Sequence, residues 1–198
     1  MRNGIAYFTG LSFAFALAGP LCAQERPQDF ALTLRGTSCR ECHGATGNSS
    51  RDSVPRINGQ LEGYLRARLQ SFRYPVKESP HGIHNMGIPG QQLTDAVVEA
   101  LAAYYAAQKP FSGGLVTNQP GASIYKNGTH DIPACQGCHG AKGEGMGTAP
   151  RLAGQHRAYL QMQLQAFSTG ARISDPMTRH VWFISPDQAM AVANYLGR

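Results

Sequence analysis

Two five-residue stretches carry the chemistry of this chain: Cys39-Arg40-Glu41-Cys42-His43 and Cys135-Gln136-Gly137-Cys138-His139. Cys-x-x-Cys-His is the attachment signature of a c-type haem. Two thiols at that spacing can each add to a vinyl group of one porphyrin, and the next residue places an imidazole beneath the iron. A zinc ribbon places its Cys pairs about 15–20 residues apart, whereas Cys42 and Cys135 lie 93 apart. A redox dithiol gives no reason for the trailing His. The motifs therefore predict two haems, with Cys39, Cys42, Cys135 and Cys138 as covalent attachment points and His43 and His139 as proximal iron ligands.

What stands opposite each His decides what the iron can do. A strong protein ligand closes the metal to substrate and leaves it an electron carrier, and thioether sulfur raises its potential. Register selects the candidates. Met86 lies eight residues before Thr94, a predicted helix cap, and Met177 lies eight before Ser185, its counterpart. Met146 falls in a Gly-rich loop, and Met162 and Met190 fall in predicted helices as filling residues. His81, His84 and His180 are the rival ligands. His130 and His156 read as surface residues. Pro55 and Pro150 follow the proximal histidines by 12 and 11 residues. Each could simply end a loop, or its carbonyl could accept the imidazole N–H and fix the ring.

The elements that must hold these residues are written twice. Pro-Arg-(Ile/Leu)-x-Gly-Gln-x-x-x-Tyr-Leu-x-x-x-Leu-Gln-x-Phe begins at Pro55 and again at Pro150, an offset of 95. Leu61, Tyr64, Leu65, Leu69 and Phe72 have helical spacing, as do Tyr159, Leu160, Leu164 and Phe167. Each half then ends in a further helix. Thr94 caps one over 95–105, and Ser185-Pro186-Asp187-Gln188 has the form of a capping box with Pro at the first helical position. Strand signals are weak throughout. Lys109-Pro110-Phe111-Ser112-Gly113-Gly114 reads as a linker.

The 198 residues suit two small domains rather than one large one. A basic start, an apolar run over 5–17 and the small residue Ala23 read as an export signal, 1–23, too short to span a membrane. Its removal would take away Cys22, leaving the four motif cysteines and none for a disulfide. It would also leave 17 basic and 12 acidic side chains, formally +5. These charges are not clustered, which disfavours nucleic-acid binding, though a modest basic patch could dock an acidic redox partner. Gly143-Glu144-Gly145 lacks the strand and the Gly-Lys-Ser/Thr of a nucleotide loop.

With the duplicated Cys-x-x-Cys-His, the Pro-Arg-Leu-Ala-Gly-Gln block, the following Tyr-Leu helix and the downstream Met, the chain resembles the dihaem cytochrome c4 family. The resemblance implies an all-α fold: a tandem pair of class I cytochrome c domains, here 24–108 and 120–198 joined by 109–119, packed about a pseudo-twofold axis. It implies His/Met ligation at both irons, through His43 with Met86 and His139 with Met177, and Pro55 and Pro150 as the carbonyl partners. It implies a periplasmic electron carrier serving redox proteins such as a membrane oxidase or a dehydrogenase, with no small-molecule substrate and room for peripheral membrane contact. The first half departs from the pattern around 73–80, where four extra residues precede Met86. Two alternatives therefore stand beside the carrier: a dihaem enzyme with thiosulfate- or peroxide-type chemistry at the first haem, or the cytochrome subunit of a larger dehydrogenase.

Overall fold

The computed structural model describes residues 39–73, Met86, 93–113, 115–117 and 119–198. The expected export signal, Cys22, the lead-in before the first motif, His81 and His84 lie outside the described residues. Eight helices are described: α1 (Cys39–His43), α2 (Glu62–Arg73), α3 (Asp95–Ala106), α4 (Gln119–Asn127), α5 (Gln136–His139), α6 (Arg157–Ser168), α7 (Met177–His180) and α8 (Pro186–Leu196). Among the described residues there is no strand, only an isolated bridge between Met146 and Ala149. The all-α expectation holds.

The helix caps are where the sequence places them. Val97 N–H donates to Thr94 Oγ1 at the start of α3. At α8, Gln188 N–H donates to Ser185 Oγ while the Gln188 side chain accepts from Ser185 N–H, a closed capping box. In the first half α2 packs on α3, burying Leu65, Leu93, Val97, Val98, Leu101, Ala102 and Tyr105 in one cluster. In the second, α8 packs on both α4 and α6. One apolar cluster there gathers Tyr125, Leu160, Val192, Tyr195 and Leu196. A second gathers Ile132, Phe167, Val181, Ile184 and Ala189. Each large apolar side chain so buried contributes about 1.5–3 kcal/mol.

Helix α4 was not foreseen, since Pro120 and Gly121 are poor helix formers. Its reason is tertiary. A Cβ on Gly121 would stand 2.0 Å from the Ala191 carbonyl oxygen, so only glycine lets α4 and α8 approach this closely. Fully buried Tyr125 then ties α4 to the second motif by donating to the Gly140 carbonyl at 2.5 Å.

The stretch read as a linker is built into the fold. Asn58 Nδ2 donates to the Lys109 carbonyl at 2.7 Å, the Arg56 guanidinium lies 4.0 Å over the Phe111 ring, and Val116 N–H donates to the Tyr195 carbonyl at 3.0 Å.

The repeated Pro-Arg-x-x-Gly-Gln block joins the two halves. Gln60 Oε1 accepts from Arg151 N–H at 2.7 Å and Gln60 Nε2 donates to the Arg151 carbonyl at 2.9 Å. In mirror fashion, Gln155 Oε1 accepts from Arg56 N–H and Gln155 Nε2 donates to the Arg56 carbonyl, both at 2.8 Å. Each glutamine thus pairs with the backbone of the other half's equivalent arginine, as a neighbouring strand would. The preceding glycines, Gly59 and Gly154, make the turn: both have positive φ, and a Cβ on Gly59 would collide with Pro110.

One expectation is corrected here. His130 is exposed, but His156 is 2% exposed, buried where the halves meet. Its Nε2 donates to the Ser49 carbonyl of the first half at 2.9 Å, and its Nδ1 stands 3.4 Å from the Asp52 carboxylate. A hydrogen-bond partner in the other half makes burial of this polar ring tolerable.

Candidate haem centres

Each motif sits on one turn of helix, so its two cysteines lie a turn apart on one face with the His directly after. Cys135 is the residue before α5, and its carbonyl accepts the N–H of His139 at 3.0 Å. None of the four motif cysteines is paired in a disulfide. Burial pushes the Cys39 and Cys135 thiols above their ordinary pKa.

The two imidazoles are buried, His43 at 6% and His139 at 5% exposure. His43 Nδ1 lies 2.9 Å from the Pro55 carbonyl, and His139 Nδ1 lies 2.9 Å from the Pro150 carbonyl. A carbonyl only accepts, so Nδ1 carries the proton and Nε2 is left with its lone pair, the form that binds a metal. Burial lowers both pKa values, partly opposed by the carbonyl bonds. The loop that brings each proline into place is itself repeated. Gly47 accepts from Ile57 N–H and Asn58 N–H, and Gly143 accepts from Leu152 N–H and Ala153 N–H. Both glycines have positive φ.

Met177 opens α7, half-buried against the cluster of Ile132, Phe167, Val181, Ile184 and Ala189. His180, its rival, is half-buried at the end of the same short helix. Met86 is half-buried in helical conformation, and the residues around it lie outside the description. Met146 and Met190 are exposed and Met162 lies half-buried on α6, consistent with filling or surface roles. Among the described residues no three His, Cys, Asp or Glu side chains converge as a metal cluster.

Whether these residues suit a porphyrin can be judged from what they leave unsatisfied. Arg56 Nε, Arg172 Nε and the Tyr105 hydroxyl are buried donors without a hydrogen-bond partner. Arg56 adjoins Pro55, and Tyr105 shares a cluster with Cys39. Buried donors beside apolar walls and the motif cysteines match a group with a flat apolar face and anionic carboxylates. The residues fit.

Sequence reasoning missed a second feature between the halves. Tyr64 and Tyr159, equivalent by the offset of 95, meet the guanidiniums of Arg68 and Arg172. Arg172 donates to Tyr64 Oη at 3.3 Å and to Gln163 Oε1. Burial, with Tyr64 alongside, pushes the Tyr159 hydroxyl up to about 12. The equivalence of the two tyrosines was visible in the repeat, but their meeting was not.

Two helical units, each offering paired thiols and a buried imidazole tied through Nδ1 to a prolyl carbonyl, define a c-type cytochrome. Residues 119–198 match the family model described as cytochrome c. Cytochrome c-552 of Acidithiobacillus ferridurans is 35% identical over 197 residues, covering 96% of this chain and 86% of the relative. The cytochrome c4 structure of Acidithiobacillus ferrooxidans superposes with a TM-score of 0.74 at 37% identity, covering 80% of this chain and 96% of that one. The thiosulfate dehydrogenase electron acceptor of Stutzerimonas stutzeri is 33% identical over 166 residues, 80% of this chain and 77% of the relative. The chain belongs to the cytochrome c4 family: it is an electron-transfer protein with covalently bound c-type haems.

Proposed function

We propose that this chain is a periplasmic dihaem shuttle that passes single electrons between redox proteins, with a membrane oxidase as one acceptor. Its units are 24–108 and 120–198, joined by 109–119. In this reading Cys39 with Cys42, and Cys135 with Cys138, hold the two porphyrins by thioether bonds. His43 and His139 are the proximal ligands, and Met86 and Met177 close the opposite faces. The observation that carries the reading is the twofold occurrence of a buried imidazole with Nδ1 spent on a prolyl carbonyl and Nε2 left free for a metal. A c-type haem supplies one-electron iron chemistry when bound.

The chain's own residues do the rest. Pro55 and Pro150 orient the imidazoles, and the Gln60 and Gln155 bonds fix one unit against the other, so that the distance between centres does not change during exchange. A methionine on each distal side excludes substrate, which makes a carrier rather than an enzyme. No helix among the described residues is long and apolar enough to cross a membrane.

A second reading has support of its own: a relative is named as the electron acceptor of thiosulfate dehydrogenase. Under that reading the donor is a sulfur-oxidising dehydrogenase, and the chemistry stays on the partner.

The test is the near-infrared spectrum of the ferric holoprotein, with the methionine-to-iron charge-transfer band scaled per haem. Intensity for two bonds, halved by Met86→Leu or Met177→Leu alone and abolished by both together, is the expected result. Intensity for one bond in the wild type, unchanged by Met86→Leu, overturns Met86 as ligand and moves the first centre toward the enzyme alternative.

A further inference from the structure

We infer that the apolar groove between the C-terminal half of α6 and the start of α8 is a docking surface for an acidic redox protein, which seats an apolar side chain there. The inference rests on the electron-carrier reading above. The groove has a volume of about 410 Å3 and is lined by Met162, Ala166, Thr169, Ile184, Pro186 and Ala189 among others. Beside it, Phe183 is 70% exposed, Trp182 53% and Met190 44%. Burial of Val181 and Ile184 fixes the register of this turn, so the two aromatics between them face outward. Apolar surface grouped in this way, rather than scattered singly, marks a contact site.

The duplication supplies an internal control. The same place in the first half is closed by charge. Arg73 reaches from α2 to the start of α3, donating to the Leu93 carbonyl at 2.6 Å and pairing with Asp95 at 2.6 Å. Next to it, Arg66 pairs with Glu99 at 2.7 Å and with Glu62 at 2.6 Å. The repeated block, at an offset of 95, aligns Arg73 with Ser168 and Arg66 with Gln161, and the helix caps Thr94 and Ser185, at an offset of 91, align Asp95 with Pro186 and Glu99 with Met190. Four of these five charged groups are replaced in the second half by neutral ones, and the fifth, Glu62, by Arg157. Among the described residues, one unit thus carries ion pairs where the other presents an apolar groove.

The occupant follows from position and charge. The groove floor, Ile184 and Ala189, belongs to the cluster against which Met177 packs. A protein seated there lies one side-chain layer from the distal residue of the second centre, where a redox partner gains most. With the expected export signal removed the polypeptide is formally +5, so a second copy is repelled and an acidic protein attracted. A concave groove also suits a protruding side chain better than the flat face of a bilayer.

The test transplants the first-half closure: Ser168→Arg with Pro186→Asp, and separately Met190→Glu, which alters one exposed residue and guards against a folding failure. The holoprotein is reduced by purified thiosulfate dehydrogenase in stopped flow, with ascorbate as small-molecule control. The expected result is a second-order rate about tenfold lower for both variants at low salt, with unchanged ascorbate reduction, unchanged near-infrared band and a wild-type rate that falls as salt rises. Equal rates for wild type and variants overturn the proposal. So does a wild-type dimer by sedimentation, or binding to anionic phospholipid vesicles, that the substitutions abolish. A wild type that ascorbate reduces but the dehydrogenase does not also overturns it, while leaving electron carriage intact. A holoprotein that no one-electron reductant reduces sinks the carrier reading itself.

Discussion

Replacing Gln155 and Gln60 by Ala, singly and together, tests whether the two units act as one body. Gln155 makes two bonds across the contact, both at 2.8 Å to the backbone of Arg56, and Gln60 makes two to the backbone of Arg151 at 2.7 and 2.9 Å. Each Oε1 also accepts the N–H of the residue after its own, Leu61 at 2.9 Å and His156 at 3.0 Å. A neutral hydrogen bond contributes about 1 kcal/mol net. Two lost cross-unit bonds therefore predict about 2 kcal/mol per glutamine, and about 4 kcal/mol for the double variant if the sites are independent. That is a large part of the stability of a small domain, about 5–15 kcal/mol. The assay is guanidinium denaturation of the holoprotein, followed at the Soret band and by far-ultraviolet circular dichroism. The wild type should unfold in one coincident transition. The single variants should lose similar amounts, because the two clamps are mirror images. The double variant should split into two transitions as the units uncouple. A double variant that unfolds in one step with an unshifted midpoint refutes the clamp. Loss confined to one glutamine refutes its symmetry.

Two further outcomes follow from single residues. His156 is held below its ordinary pKa by burial and by the Arg56 guanidinium, against the opposing pull of the Ser49 carbonyl and Asp52. A His whose folded pKa is depressed costs the fold nothing above its unfolded value, about 6.5. Below that pH the unfolded chain takes up the proton first, so stability falls with falling pH. His156→Gln should flatten that acid slope in urea titrations between pH 7 and 5, and an unchanged slope assigns the acid sensitivity elsewhere. At Gly121, a Cβ would meet the Ala191 carbonyl at 2.0 Å, so Gly121→Ala should force α4 away from α8. The expected cost is about 1–3 kcal/mol, and an unshifted denaturation midpoint contradicts the close crossing.

Much of the fold was legible because the chain states it twice. The helix caps Thr94 and Ser185, the apolar spacing of α2 and α6, and the prolines after each proximal His all have a counterpart in the other half. Local rules sufficed for them: a cap needs only its own helix, and a carbonyl 11 or 12 residues from a His needs only one loop. Helix α4 and the short α7 were not legible. Their residues have no strong propensity, and α4 exists because α8 offers it a surface, which is a tertiary cause.

The contact between units was hidden for another reason. Periodicity separates apolar from polar faces, but Gln60, Gln155 and His156 are polar residues buried by partners far away in sequence. The repeat held a clue for His156. At the offset of 95 it stands opposite Leu61, an apolar position at the start of a helix, so the register of the repeated block could have placed the imidazole inside. The glutamines gave a weaker sign: an identical Gly-Gln in both halves, where a surface loop would need neither. The comparison of halves has to be read in both directions. Positions that match, such as Gln60 with Gln155 and Tyr64 with Tyr159, lie where the two halves touch. Positions that differ, such as Arg73 with Ser168 and Glu99 with Met190, include those where one unit carries ion pairs and the other an apolar groove. A duplicated chain needs like residues where a bond across the halves is made twice, as by Gln60 and Gln155. Elsewhere it is free to vary, even where it meets itself, as His156 opposite Leu61 does.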